Sequence, residues 1–287
     1  MEAGEGLQGL TVAIPAEIDG YMVTAITGNL SQKQIESLTI PETIIRFGKS
    51  TFAENQIGTL IYQAVDAGNE ENFFYCPFAY SEIEHLEIGS RVQAIHDRTF
   101  YQTVFRQPEV ELHVPSIGKY AFDNASFETL TLTEDVRSID CLAFSEAKIQ
   151  KLNYNCPEAE LAHVDSTSTS LFYDAKISEL FLVETMDRIP DYLFANADLQ
   201  MKEYVIDREY IGKMAFFGAW SNGVIENPID RLTITEDVAF IGAKAFGQCK
   251  IRNLQYQAEV QTDAVSSVTG IFYMSDLYGL EVADGVQ

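Results

Sequence analysis

The chain has little of what enzymes, membrane proteins and nucleic-acid-binding proteins usually require. Lysine and arginine together number 19 against 43 aspartates and glutamates, which gives a net charge of −24 over 287 residues. Such a charge repels phosphate backbones and anionic lipid headgroups, so nucleic acid and membrane surfaces are excluded as favoured partners. No run approaches the roughly 18 consecutive apolar residues of a membrane span, so no membrane insertion is expected.

The short motifs of catalytic and cofactor sites are also absent. The sequence contains no G-x-S-x-G, no G-x-G-x-x-G, no P-loop and no D-x-D-x-D-G calcium loop. Its histidines are scattered without the spacing of metal ligands. The segment His163-Val-Asp165-Ser166 gathers triad residue types, but adjacent side chains of an extended segment point to opposite faces. We therefore predict no enzymatic activity, no cofactor and no metal.

Only four cysteines are present, Cys76, Cys141, Cys156 and Cys249, and none belongs to a C-x-x-C pair. Cys249 lies three residues after Phe246, where related segments carry small residues such as Ala147. This position predicts a small buried thiol. The sequence leaves open whether Cys141 and Cys156 form a disulfide.

What the chain does have is a repeat built around phenylalanine. A phenylalanine is followed five residues later by Ile or a relative, and eight residues later by Leu. Clear copies begin at Phe52, Phe78, Phe144, Phe172, Phe246 and Phe272, looser ones at Phe100, Phe122, Phe194 and Phe216, and Leu30 begins the motif with Leu in place of Phe. Neighbouring copies are 22 residues apart, or 22 plus four, six or eight. This periodicity predicts a repeat solenoid of about eleven coils.

One coil shows how the repeat would fold. Leu130-Thr131-Leu132 alternates apolar and polar residues, which predicts a short strand with one buried face. Val136, Ile139 and Phe144 then have the spacing of a helical or 3₁₀ turn packing back on the sheet. Stacked coils would place Leu over Leu, Ile over Ile and Phe over Phe, so the array is stable only collectively.

Two coils depart from this pattern without changing the step of 22. Between Phe100 and Phe122 we place the strand at 112–114, where it starts late and is followed by a return shortened by four residues. The same exchange is expected around the strand at 204–206. Insertions are therefore cancelled to keep the core aligned.

Written as L-x-I-P-x-x-V-x-x-I-x-x-x-A-F-x-x-x-x-I-x-x-L, the coil resembles the BspA-like leucine-rich repeats. The clearest matches are residues 38–52, 130–144 and 232–246, and residues 14–26 look like the stretch that starts such arrays. The resemblance implies a curved leucine-rich-repeat solenoid with short parallel strands on its concave face. Turns, 3₁₀ or short helical segments would lie on the convex side.

The family resemblance also implies a function. Its members are mostly bacterial proteins that are secreted or displayed at the cell surface, implicated in adhesion to host, matrix or other cell-surface proteins, without shared catalytic residues. We therefore expect a non-enzymatic module that binds an extracellular or host protein. Two alternatives remain open: a structural spacer that displays other domains, and a glycan-binding module, which would need exposed aromatics such as Trp220 or Phe181.

The domain organisation expected is a single solenoid over residues 1–287, with residues 1–29 as its start or cap. The amino terminus lacks the basic and apolar regions of a signal peptide, and the last segment, beginning at Leu280, stops partway through a coil. We interpret the chain as a fragment of a longer protein whose export signal has been removed.

The candidate partner-binding residues are those expected to point outward from the concave strands. Most of the surface is acidic, but these rows mix polar, charged and apolar residues, and repeat proteins usually bind through this face. The candidates are Thr59, Ile61, His85, His113, Thr131, Lys151, Asn153, Glu179, Phe181, Arg231 and Asn253. β-Branched residues also simply suit a sheet surface, so the pattern alone does not establish a site.

Overall fold

A computed structural model describes residues 9–65, 68–69, 76–220, 228–263 and 270–283. Within these ranges the chain is a parallel β-solenoid of about eleven turns, as the repeat predicts. Each turn contributes one strand to a long sheet, and most turns contribute a shorter strand to a second sheet.

The strands are numbered along the chain. The first half contains β1 (Leu10–Ala13), β2 (Glu17–Ile18), β3 (Tyr21–Met22), β4 (Ala25–Ile26), β5 (Gln34–Ile40), β6 (Arg46–Phe47), β7 (Gln56–Tyr62), β8 (Gly68–Asn69), β9 (Glu82–Ile88), β10 (Ala94–Ile95), β11 (Val104–Phe105), β12 (Glu109–Leu112), β13 (Ser116–Ile117) and β14 (Ser126–Leu132). The second half contains β15 (Ser138–Asp140), β16 (Lys148–Tyr154), β17 (Glu160–Ala162), β18 (Lys176–Leu182), β19 (Arg188–Ile189), β20 (Asp198–Leu199), β21 (Glu203–Ile206), β22 (Tyr210–Ile211), β23 (Arg231–Ile234), β24 (Phe240–Ile241), β25 (Lys250–Ile251), β26 (Leu254–Tyr256), β27 (Asp276–Leu277) and β28 (Leu280–Val282).

The long sheet runs in the order β1-β5-β7-β9-β11-β14-β16-β18-β20, with β12 also paired to β14. It resumes as a separate sheet, β21-β23-β26-β28. The register places Leu over Leu, as in Leu38, Leu60 and Leu86, and the ladders of these two sheets are parallel. The strand predicted at Leu130-Thr131-Leu132 is therefore confirmed, with both leucines in the core. Thr131 lies on the opposite face but is also buried, at 7% exposure.

The return side of the coil was expected to contain turns, 3₁₀ segments or short helices, and its structure differs from the helical forms. No described residue is in an α- or 3₁₀-helix; the return consists of turns and of two- or three-residue strands such as β15. These short strands form their own parallel sheets, β4-β6-β8, β10-β13-β15-β17 and β19-β22-β24. The apolar spacing that suggested a helical turn arises because Val136 and Ile139 both point inward from a tight turn and a short strand.

The phenylalanines stack in one column through the core. Successive rings from Phe52 to Phe272 have centroids 5.3–5.5 Å apart and are inclined by 3–23°. This spacing is close to that of offset-stacked aromatic pairs. Because each ring is held between two others, every coil depends on both of its neighbours.

Tight turns bracket each phenylalanine. The residue two after each column phenylalanine adopts positive φ, and so does the residue two before it except at Phe78, Phe172 and Phe272; around Phe122 these are Tyr120 (57°) and Asn124 (53°). Such conformations cost about 1 kcal/mol each for non-glycine residues. Backbone bonds between coils offset that cost: Phe122 N donates to Ala143 O at 2.8 Å, and Asn124 N donates to Ser145 O at 2.7 Å.

The long sheet is interrupted twice, at what we call the first and second seams. At the first seam β9 pairs with β11 but not with β12, and at the second β18 pairs with β20 but not with β21. Nearly every Cα–Cα distance between β9 and β12, and between β18 and β21, exceeds 8 Å. Paired strands lie about 4.8 Å apart, so each seam is more than one strand spacing wide.

Each seam follows from an inserted pair of residues. Ile177 and Leu180 are three residues apart in β18, whereas the equivalent Leu199 and Tyr204 are five apart. The return is shortened by the same amount, because β22 begins four residues after β21 ends, against six from β18 to β19. The prediction that a later strand is offset by a shorter return is thus confirmed in this coil, as is the strand at 204–206.

At the first seam the strand predicted at 112–114 is wrong in register. β12 covers Glu109–Leu112 and pairs with β14 through Val110 and Leu112, so the exchange there involves two residues rather than four. Val110, Leu112 and Val114 are all buried and lie two residues apart. Alternation alone therefore fits both registers, and only the pairing partner decides between them.

Residues 9–29 contain the start of the array. β1 pairs in parallel with β5, and β4 pairs with β6, while β2 and β3 form an antiparallel hairpin. Four segments are longer than the 22-residue step requires, at 65–77, 157–171, 217–229 and 259–271, and the one at 157–171 contains β17 and several turns. Parts of the other three, residues 66–67, 70–75, 221–227 and 264–269, lie outside the described residues, as do residues 284–287.

All four cysteines are free thiols, so Cys141 and Cys156 are not joined. Cys249 is fully buried, as predicted, and its Sγ donates to Phe216 O at 3.1 Å. Burial raises the pKa of Cys249 and of Cys156 to about 12, which keeps both thiols protonated and unreactive.

Candidate functional site

The candidate site is the outward side of the long sheet, which we call the strand face. Ten of the eleven predicted residues lie on it or at its edge, in rows that run from coil to coil. The register aligns Thr59 with His85, Thr131 with Asn153 and Phe181, and Lys151 with Glu179. Arg231 opens β23, and Asn253 immediately precedes β26.

His113 does not belong to these rows, because β12 ends one residue before it. Glu111, paired with Thr131, occupies the position predicted for His113. The imidazole lies at the border of the strand face, with Nε2 3.0 Å from Glu111 Oε2 and Nδ1 3.2 Å from Asp135 Oδ2. The hydrogen bond with Glu111, supported by that with Asp135, raises the pKa of His113 above its ordinary value of 6.5.

The middle of the strand face is a polar ladder whose members bond one another. Thr131 Oγ1 donates to Glu109 Oε1 at 2.6 Å and accepts from Asn153 Nδ2 at 2.9 Å. At the carboxyl end, Gln255 and Asn253 both donate to Glu281, and Arg231 lies 3.5 Å from Glu203. Most polar candidates are therefore satisfied within the chain.

The apolar candidates are different, because they face solvent. Phe181 is 50% exposed and Val205 is 56% exposed, while Ile61 is half-buried. The Lys151 ammonium lies 4.8 Å from the centroid of the Phe181 ring, which covers one face of that ring. Phe181 and Val205 belong to β18 and β21, so they stand on opposite sides of the second seam.

The two seams are bridged by different side chains. At the first, Gln107 Oε1 accepts from Leu86 N at 2.5 Å, and Gln107 Nε2 donates to Glu109 O at 2.7 Å. A side-chain amide thus joins both strands. At the second, Arg208 Nη2 donates to Leu182 O at 3.1 Å and Nη1 pairs with Asp207 at 2.8 Å.

The second seam also holds a cleft of about 190 Å³ between β18 and β21. Its lining includes Leu180, Phe181, Tyr204, Val205 and Arg208. Arg208 Nε is buried and has no hydrogen-bond partner among the described residues. A buried donor without an acceptor costs about 1–3 kcal/mol, so an acceptor brought into the cleft would relieve that cost.

A second cluster was not found from the sequence. Tyr80 and Tyr101 meet edge to face at 5.8 Å, and Arg98 lies 4.5 Å from the centroid of Tyr120, beside a cleft of about 510 Å³. Burial, with a smaller effect from Glu146, raises the pKa of the lining Asp123 to about 6. The sequence did contain a signal for this cluster, because Tyr80, Arg98 and Tyr120 all lie two residues from a phenylalanine of the column.

Several other expectations can be compared with the structure. Trp220 is fully buried and stacks on Phe216 at 5.6 Å, so it cannot offer a platform to a glycan. In the described part of the chain no group of three His, Cys, Asp or Glu side chains is placed to hold a metal ion. No helix capable of crossing a membrane occurs among the described residues.

The chain was compared with known proteins. A family model for the BspA type leucine rich repeat region matches in six copies, over residues 26–104, 75–200 and 210–275. No curated protein matches. The solved structures similar to it include the pneumococcal vaccine antigen PcpA, at 16% identity over 98% of this chain and 91% of that chain, with a TM-score of 0.39. They also include a leucine rich cell surface protein from Faecalibacterium prausnitzii A2-165, at 15% identity over 85% and 86%, with a TM-score of 0.31.

Proposed function

The chain belongs to the BspA-type leucine-rich-repeat family, and on that premise we propose that it is a non-enzymatic protein-recognition module of a secreted or cell-surface protein. Its partner would be an extracellular, host or matrix protein bound on the strand face. The observation that carries this proposal is the exposure of Phe181 and Val205 in a face where most of the polar candidates bond within the chain. Exposed apolar side chains in the middle of a polar sheet surface commonly mark an interaction site.

The binding surface would combine an apolar centre with a polar rim. Phe181 and Val205 form the centre, while Lys151, Glu179 and Arg231 surround it with charges of both signs. Such an arrangement resembles protein interfaces, in which a few buried aromatic anchors supply most of the binding energy. The acidic remainder of the surface would favour partners with basic rims, whose affinity falls as salt screens the attraction.

The experiment is a binding screen against extracellular-matrix and host-surface proteins. It compares the wild-type chain with an Ile61→Lys, Phe181→Lys double variant. An Ile45→Lys, Met274→Lys variant is the matched control, because it adds the same charge at exposed apolar positions away from the strand face. The proposal expects a specific partner whose binding is lost only in the strand-face variant. A partner that binds both variants equally would place the site elsewhere, and no partner at all would favour the structural-spacer alternative.

A glycan-binding role is the second candidate, favoured by the tyrosine cluster and not by Trp220. Tyr80, Tyr101 and Tyr120 offer ring faces and hydroxyls beside a cleft of about 510 Å³, within the range of small-ligand sites. A glycan array probed with the wild-type chain and with Tyr101→Ala tests it. Binding that Tyr101→Ala loses and Phe181→Lys keeps would support this role over protein recognition on the strand face.

A further inference from the structure

The two seams make a controlled comparison within one molecule. Both arise from a two-residue insertion, and both leave strands separated by more than 8 Å at nearly every Cα pair. At the first, the Gln107 amide fills the gap and bonds to both edges, to Leu86 N and Glu109 O. A side-chain amide presents the same donor and acceptor as a peptide group. The first seam therefore shows that an amide group in this gap can bond both strands.

The second seam lacks that amide. The residue equivalent to Gln107 is Met201. The next coil shows this, because Thr129 N donates to Pro108 O at the first seam and Arg231 N donates to Lys202 O at the second, and these acceptors each follow the equivalent residue. Met201 has no amide with which to bond the strands. The space is instead a cleft of about 190 Å³, reached by the Arg208 side chain from one side.

The strand edges at the second seam point their peptide groups into the gap. In the paired coils the residue after each long strand donates backward, as Val183 N does to Tyr154 O and Thr235 N does to Ile206 O. Because peptide groups alternate along a strand, Val205 faces β18, while Leu180 and Leu182 face β21. Among the described residues, only Leu182 O finds a direct substitute partner, in Arg208 Nη2.

We propose that the second seam binds an extended peptide segment of a partner protein, which enters between β18 and β21 as an additional β-strand. A strand placed midway between two others needs about 9.6 Å, twice the usual spacing, which is consistent with a gap wider than 8 Å. Its carbonyl groups would satisfy Leu182 N, Val205 N and the buried Arg208 Nε. An outward apolar side chain of the segment would lie between Phe181 and Val205. This inference rests on the proposed function, because it names the kind of partner that the strand face takes.

The test begins with a random peptide library of about eight residues displayed on phage, selected on the folded wild-type chain. Synthetic copies of the selected peptides are then titrated calorimetrically. Val205→Pro removes one peptide N–H that faces the gap and leaves the ladder between β21 and β23 intact. Glu111→Pro is the matched control, since Glu111 holds the same position at the first seam. Met201→Gln supplies the amide that the second seam lacks and should occupy the peptide's place.

The expected result is a loss of affinity of at least about tenfold in both Val205→Pro and Met201→Gln, with Glu111→Pro within about twofold of the wild type. Methylating either alternate set of the peptide's backbone nitrogens should abolish binding, because an inserted strand bonds β18 with one set and β21 with the other. If Val205→Pro fails to fold, Met201→Gln alone decides, because it removes no hydrogen bond. The inference would be overturned if the library yielded no peptide that binds the wild type more tightly than Met201→Gln.

One further outcome separates this inference from the proposed function. Peptides or partners that Phe181→Lys loses, but that Val205→Pro and Met201→Gln both keep, would show recognition on the strand face without strand insertion. The inference would then be wrong and the proposed function would stand.

Discussion

The first and second seams share one backbone defect and differ in what their side chains do with it. At the first, Gln107 bonds both strands, and the outward residues beside the gap that correspond to Phe181 and Val205 are the polar Glu87 and Glu111. At the second, Met201 cannot bond, and Phe181 and Val205 face solvent. The difference shows that the same gap in the sheet is bridged by a side chain in one coil and, because a few residues differ, is a candidate site in another.

The seams also show where a solenoid tolerates irregularity. The phenylalanine column passes both of them unchanged, with rings 5.3–5.5 Å apart on either side of Phe100 and Phe194. The inserted residues are confined to the strand side of the coil, and the return is shortened by the same amount. The core therefore stays in register while the strand face varies.

The largest expected effect is on the column that the two seams share. Phe100→Ala and Phe194→Ala should each lower the free energy of unfolding by about 3–5 kcal/mol, because each removes a fully buried ring held between two others. Urea denaturation measures both. Equal losses would confirm that the core is the same behind both seams, and a loss below about 1 kcal/mol at either would contradict continuous stacking.

The next effect concerns the bridging side chains and should differ between the seams. Gln107→Ala leaves Leu86 N and Glu109 O without their partner and should cost about 1–2 kcal/mol. Arg208→Ala loses the bond to Leu182 O but also removes a buried Nε that has no described partner, so its net cost should be smaller. Denaturation of the two variants side by side tests this order. A larger loss for Arg208→Ala would mean that the second seam is the more tightly closed of the two.

The fold and the two irregular coils were predictable from the sequence, whereas the gaps in the sheet and the register of β12 were not. The phenylalanine step and the alternation in Leu130-Thr131-Leu132 depend on local spacing, which one chain displays. The position of β12 depends on which of three buried apolar residues pairs with β14, and spacing does not contain that information. His113 was misplaced for this reason, although Phe181 was correctly expected to point outward from the strands.

A smaller effect concerns pH at the first seam. The pKa of His113 should exceed 6.5, because the protonated ring donates to Glu111 and Asp135. The stabilisation is therefore complete below pH 6.5 and is lost as pH rises through the raised pKa. Because the pair is exposed, its size should be only about 0.2–1 kcal/mol. An NMR titration of the ring, with His113→Gln as the control in denaturation at both ends of this pH range, measures it.

A pKa at or below 6.5 for His113 would contradict the contacts that place this ring at the edge of the strand face. No comparable pH dependence is expected for the second seam, because its bonds involve Arg208, which stays charged across this range.

The most direct test of the account is amide hydrogen exchange at equivalent positions of the strand face. Val205 N faces the gap, whereas Thr233 N, at the same place in the next coil, faces β21 in an intact ladder. The account predicts that Val205 exchanges at least about a hundredfold faster than Thr233 in the free chain, and that a selected peptide slows Val205 toward the rate of Thr233. Equal protection of the two amides in the free chain would mean that β18 and β21 are joined, and would contradict an open second seam.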